Sequence, residues 1–265
     1  MTKKRADVIL FEKGLVDSRE KGKRVIMDGS VFVGDMRVDK PGEQIEESAD
    51  IYVKSNPLQY VSRGGLKLEK AMREFAVSLE GTKCMDMGAS TGGFTDCMLK
   101  SGANKVYAVD VGYGQLDWKL RNDERVVVME RTNIRYMEPD SITDRLDFVS
   151  IDVSFISLKL ILPVASGFLK DSGTIVALVK PQFEAGRDKV GKKGIIRDSK
   201  VHREVIIKVL EHAAQSGLYP KGLTFSPITG TTGNIEFLLC LGKNVTELSG
   251  DQIDSVVEEA HNNLS

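Results

Sequence analysis

The chain has 265 residues, with 37 Lys/Arg against 38 Asp/Glu and a formal charge of −1. That length suits one large domain, or a domain plus a small one. The charge balance excludes a molecule that is polycationic overall, so a nucleic-acid surface has to come from local clustering. The three cysteines (Cys84, Cys97, Cys240) lack metal-ligand spacing and the three histidines all fall late. No metal, no Ser-His triad and a reduced, cytoplasmic setting are therefore expected. The basic start leads into only four apolar residues and no 18-residue apolar window follows, so neither a signal peptide nor a membrane-spanning helix is expected.

Residues 1–54 read as a compact α+β unit. Apolar spacing over Lys4–Phe11 predicts a helix, and Ser18 is placed to cap a second over Arg19–Met27. Short strands follow at Val31–Val33, Met36–Val38 and Ile51–Val53, separated by Asp-Gly, Gly-Asp and Pro-Gly turns. The first 24 residues hold eight Lys/Arg against four acids. Lys4, Arg5, Arg19, Lys21, Lys23 and Arg24 on two short helices suit one phosphate backbone, and equally a solvated helix face. Residues 55–62 read as a Pro-containing linker, and 63–265 as the main domain.

A helix pattern runs from about Leu68 to Leu79. Strands are then expected at 83–87, 104–110, 125–130, 146–152, 173–180, 218–225 and 234–241. Helices are expected near 93–101, 115–121, 158–170, 199–216 and 251–263. Such alternation predicts a doubly wound, Rossmann-like parallel sheet of seven strands, and the helix-free loop between the last two predicts a terminal antiparallel hairpin.

Asp86-Met87-Gly88-Ala89-Ser90-Thr91-Gly92-Gly93-Phe94 is a strand, a Gly-rich turn and a helix start. No Lys follows the glycines and no G-x-G occurs, so it is neither a P-loop nor a dinucleotide turn. Asp110 ends the next strand, where an acid accepts both hydroxyls of a ribose. That placement fits S-adenosylmethionine or NAD. Thr132 and Asn133, after the third strand, are placed either to line an adenine or to serve as turn residues. Lys67, Asp152, Lys180 and Glu236 fall at strand ends or beside this cleft. Singly, each reads as half of an ordinary salt bridge; four around one cleft read as a site.

Two resemblances extend these readings. R-x-D-x-x-L at Arg5-Asp7-Leu10, Ser18-Arg19 and Ile26-x-x-Gly29-x-Val31 resemble the alpha-L RNA-binding module over about residues 3–53. S-R-x-x-x-K-L at Ser62, Arg63, Lys67 and Leu68, with D-x-G-x-x-x-G-G-F at Asp86–Phe94, resembles the FtsJ-like RNA ribose methyltransferases. The fusion of both is similar to the TlyA family, whose members are described as ribosomal RNA 2′-O-methyltransferases and as haemolysins. The resemblance implies S-adenosylmethionine as cofactor, held by Asp86, Gly88, Ser90, Gly92, Gly93, Phe94, Asp110, Thr132 and Asn133. It implies Lys67, Asp152, Lys180 and Glu236 as a catalytic tetrad, with Lys180 either as base or as the group that orients the hydroxyl, and Lys67 and Glu236 fixing the ribose and Lys180. It also implies an RNA partner, met by Arg63 and the N-terminal cations. The Gly-rich loop after Lys180 crowds Arg187, Lys192 and Lys193 into one stretch, which reads as an RNA-phosphate contact or as a solvated loop. The sequence gives a direct cytolysin little physical support, and the complete tetrad argues against a purely non-catalytic ribosome-binding factor.

Overall fold

A computed structural model describes residues 3–27, 29–53, 59–186, 189–191 and 194–264. Arg187, Lys192 and Lys193 lie outside them. The chain divides into two units, 1–59 and 60–265.

The first unit opens with β1 (Lys3–Arg5), then α1 (Ala6–Glu12) and α2 (Arg19–Met27). Strands β2 (Val31–Val33), β3 (Met36–Arg37), β4 (Gln44–Glu46) and β5 (Ile51–Val53) follow. β2 pairs antiparallel with both β3 and β5, while β1 pairs with β4. The helix expected from Lys4 thus starts at Ala6. Residues 3–5 are drawn into a ribbon with 44–46 that the sequence pattern did not show, because Ile45 is buried there and Lys4 reaches Glu47. Ile9, Leu10, Ile26, Val31 and Ile51 form a small core, as the apolar spacing of α1 and α2 requires.

The second unit begins with α3 (Gly64–Glu74). β6 (Lys83–Met87), α4 (Gly93–Lys100), β7 (Lys105–Val109), α5 (Trp118–Arg121), β8 (Val126–Met129) and β9 (Leu146–Ile151) follow. Next come α6 (Leu162–Phe168), β10 (Leu169–Val179), α7 (Pro181–Glu184), α8 (Ser199–Gln215), β11 (Tyr219–Phe225), β12 (Phe237–Gly242) and α9 (Gly250–Leu264). The sheet order is β11-β12-β10-β9-β6-β7-β8. Neighbours from β10 to β8 are parallel, and β12 is antiparallel to both β10 and β11. This is the seven-stranded, doubly wound sheet with a terminal antiparallel hairpin. Its central strands carry runs such as Val176-Ala177-Leu178-Val179, buried on both faces.

Several boundaries shift for physical reasons. α3 ends at Glu74 rather than near Leu79, with Ala76 in the left-handed region at φ +52°. The helix expected over 158–170 is a 3-10 turn at Leu158–Leu160 followed by α6, whose first turn holds a proline. The last strand starts at Phe237, not at 234. The Asn234 side chain accepts from the Ile196 amide (2.9 Å) and donates to the Gly194 carbonyl (2.8 Å), tying this stretch to a neighbouring loop. Among the described residues, no helix is long and apolar enough to cross a membrane.

Candidate active site

Parallel strands place their carboxyl ends on one edge, and β6, β7, β8 and β9 end there around a cavity of about 430 Å³. Gly88, Ser90, Asp110, Thr132, Asn133 and Asp152 line it, with apolar walls from Ile134, Ile156 and Ile161. Asp110 is fixed from below: its Oδ2 accepts from the Ser90 amide (2.8 Å) and its Oδ1 from the Gly112 amide (2.7 Å). Each oxygen keeps a second lone pair, so the carboxylate can still accept from a diol. Gly88 has φ +93°, and a Cβ there would lie 2.5 Å from the Asp152 carbonyl oxygen. Only glycine lets β6 turn this close to the end of β9. An acid held for two hydroxyls, an apolar flank for a flat ring and a side-chain-free turn fit S-adenosylmethionine.

Four residues of the Gly-rich motif stand apart from the cavity. Asp86 is fully buried beneath the turn, accepting from Thr95 Oγ1 (2.7 Å) and Ser150 Oγ (3.0 Å). Burial pushes its carboxyl up to about 7; the two hydroxyls partly offset this, and the nearby Asp152 charge adds to it. Gly92 packs on Leu116 and Leu120, Gly93 on Ser62 and Gly65, and the Phe94 ring is in the core. These residues shape the turn from behind. Thr132 and Asn133 do both things left open by the sequence: they line the cavity, and Asn133 Oδ1 caps the 3-10 turn at Ile134–Tyr136.

The four charged candidates form two pairs. Lys180 Nζ lies 2.5 Å from Asp152 Oδ1 and donates to Ser154 Oγ at 2.9 Å. The contact with Asp152 is ionic rather than a directed hydrogen bond, since that oxygen has no donor aligned on it. Lys67 Nζ lies 2.5 Å from Glu236 Oε2, with the two residues 8% and 2% exposed. Lys67 is inside α3, not ahead of it, and Glu236 precedes β12 rather than lying in it. Among the described residues no ion pair joins the two pairs, so Glu236 holds Lys67 and not Lys180.

The neighbouring residues were not singled out by the sequence pattern. Ser154 holds Lys180, and Phe155 stands 91% exposed beside the cavity. Glu184 is buried and accepts from Ser157 Oγ and the Leu158 amide, both at 2.7 Å. It thereby ties α7 to the loop after Asp152. Burial pushes its carboxyl upward, and those two donors pull it back.

In the first unit most candidate cations are already paired. Lys4 meets Glu12 and Glu47, Arg5 and Arg19 meet Asp7, and Lys21 meets Asp17. Lys23 and Arg24 are exposed on α2, and Arg63 is half-buried at the N-cap of α3.

A doubly wound sheet with an antiparallel penultimate strand and a cavity over its carboxyl edge defines the methyltransferase class. The FtsJ-like methyltransferase family model matches residues 60–243, and the S4 domain model matches residues 4–51. The chain belongs to the FtsJ-like methyltransferases, with an S4 domain ahead of the catalytic one. It is 58% identical to a Bacillus subtilis protein provisionally called rRNA methyltransferase YqxC, over 99% of this chain and 95% of that one. It is 40% identical to the Mycobacterium tuberculosis 16S/23S rRNA (cytidine-2′-O)-methyltransferase TlyA, over 97% and 96%. A solved structure from Streptococcus thermophilus, provisionally called a hemolysin, superposes with a TM-score of 0.79 at 50% identity, over 99% of this chain and 97% of that one.

Proposed function

We propose that the protein transfers the methyl group of S-adenosylmethionine to a ribose 2′-hydroxyl of ribosomal RNA. The observation that carries this reading is the Lys180–Asp152 pair at the rim of the cavity, on an FtsJ-like domain preceded by an S4 domain. The name of the Mycobacterium tuberculosis relative, an rRNA (cytidine-2′-O)-methyltransferase, and the provisional one of the Bacillus subtilis relative support it.

Bound S-adenosylmethionine supplies an electrophilic methyl group on a sulfonium, whose departure leaves a neutral sulfur. The protein therefore has no leaving-group anion to stabilise; its tasks are alignment, proton removal and exclusion of water. Asp110 holds the cofactor ribose, and Gly88 and Ser90 bring backbone to its amino-acid end. Ile134 and Ile161 flank the adenine beside Thr132 and Asn133. Asp152 and Ser154 fix Lys180, which aligns the RNA 2′-hydroxyl for attack and is the base assigned to its proton. Lys67 and Glu236 brace α3 against the start of β12 and fix the substrate ribose from that side. On the N-terminal unit, Lys23 and Arg24 join Lys4, Arg5, Arg19 and Lys21 in meeting RNA phosphates, and in the catalytic unit Arg63, with Arg187, Lys192 and Lys193, serves the same purpose.

The test is tritium transfer from labelled S-adenosylmethionine to 16S and 23S rRNA, free and in assembled subunits. Label should appear in ribose, and Lys180→Ala should lower transfer at least about 100-fold with cofactor affinity retained. No transfer to either RNA in any form, or full activity in the variant, overturns the assignment.

A further inference from the structure

The strands that lead into the Lys180–Asp152 pair each run on into a short segment, and those two segments are joined twice. β9 leads into residues 152–158, and β10 leads into α7, which starts directly after Lys180. Lys180 itself makes the first join, to Asp152 and to Ser154 Oγ. Glu184, at the far end of α7, makes the second. Its Oε2 accepts from Ser157 Oγ and its Oε1 from the Leu158 amide, both at 2.7 Å. Lys208 Nζ of α8 donates to the Glu184 carbonyl oxygen, also at 2.7 Å, which anchors α7 from its other side.

The second join is built to be rigid. Glu184 is 3% exposed, and a carboxylate that deep is costly unless donors fill its oxygens, as they do here. Between Ser154 and Ser157 lie only Phe155 and Ile156. Phe155 adopts φ +64°, a left-handed conformation that a bulky residue takes only when its surroundings impose it. Its side chain is 91% exposed, so burial of the ring does not impose that conformation. The fastenings on either side do. Ser154 can hold the Lys180 amine in one place only if this loop has one shape, and the carboxylate of Glu184 is what closes the loop at its far end.

We propose that Glu184 is a positioning residue for methyl transfer: it fixes the loop that carries Ser154, and through it the Lys180 amine against the substrate hydroxyl. The inference rests on the RNA ribose reading and adds to it a residue outside the four charged ones. Glu184 is not a lining residue of the 430 Å³ cavity, so it acts through Ser154 and not on the cofactor. What it provides is a pair of acceptors at a fixed separation. Leucine fills the same space and provides none. Glutamine keeps one acceptor for the Leu158 amide, and the Ser157 hydroxyl can turn to accept from the amide nitrogen.

The test uses the full chain, labelled S-adenosylmethionine and 16S and 23S rRNA. Glu184→Leu should lower kcat about 10- to 100-fold, with KM for RNA and cofactor affinity held within about 3-fold, because a misplaced amine slows the step without weakening binding. Glu184→Gln should keep kcat within about 3-fold of wild type. Ser154→Ala and Glu184→Leu together should cost less than the product of their separate losses, since both act on the same amine. An unchanged kcat in Glu184→Leu, a loss confined to KM, a Glu184→Gln variant as slow as the leucine one, or two losses that multiply in full overturns the inference. If circular dichroism shows Glu184→Leu unfolded, Ser157→Ala decides: a lower kcat with KM unchanged supports the inference, and an unchanged kcat overturns it. Transfer by the wild type with insensitivity to Glu184 leaves the ribose reading standing, whereas no transfer by the wild type removes both.

Discussion

The two units treat charge in opposite ways. On the N-terminal unit, half-exposed arginines lean on Asp7, itself fully buried, and the lysines pair with acids at the surface. The lysine pairs, exposed on both sides, contribute about 0–1 kcal/mol each, so Lys4 and Lys21 can exchange an acid for a phosphate at small cost, while the buried Asp7 holds its arginines. In the catalytic unit Lys67 and Glu236 are removed from water, and Lys180 and Asp152 largely so. Breaking one buried pair strands a charge, at roughly 3–5 kcal/mol. The first arrangement suits a surface that must let go and rebind; the second suits side chains that must not move.

The sharpest way to break that contrast is at Lys180, where alanine should cost most of the activity and, because Asp152 is less buried than Lys67, less stability than the next variant. Next is Glu236→Gln, which leaves Lys67 buried without its counter-charge. Denaturant titration should show a loss of roughly 3–5 kcal/mol, and replacing Lys67 by Met in the same chain should recover stability without recovering methyl transfer. An unchanged denaturation midpoint in Glu236→Gln would mean that the pair is wetter than its burial implies. Asp86→Asn gives a smaller and pH-dependent effect. The folded carboxyl titrates at about 7, above its ordinary 3.8, so the folded chain holds a proton there that the unfolded chain has lost. Wild-type stability contributed by this group therefore falls as pH rises from about 4 to about 7. The thermal midpoint of the variant relative to wild type should rise across that window, and a flat difference would contradict it. The smallest effect is expected on the N-terminal unit. Lys23→Ala should weaken RNA binding modestly and reduce the log–log salt slope by about 1, with kcat at saturating RNA unchanged.

The sequence showed most of the frame and much of the cleft, for a reason visible in single residues. Apolar runs such as Val106–Val109 can only be central strands, and acids closing them, Asp110 and Asp152, must emerge at the same edge. Pairing was less legible. Nothing in spacing says that Glu236 meets Lys67 across 169 residues rather than Lys180, because that depends on how β12 enters the sheet. The glycines carry a constraint that spacing does not show. The missing Cβ atoms of Gly92 and Gly93 make room for leucines and for the start of α3. Ser154, Phe155 and Glu184 sit in segments too short for any periodicity, and their importance comes from what lies beside them in space.

The place of β12 bears on the order in which the protein is made. Strand β10 acquires its outer neighbour only from residues 237–242, and Glu236 arrives with that same strand. A ribosome that has already delivered all the residues lining the 430 Å³ cavity has produced a sheet with a bare, apolar edge and a Lys67 without its carboxylate. The growing chain therefore passes through a stage with an unpaired apolar edge, and the strand that covers it also brings the carboxylate that Lys67 pairs with.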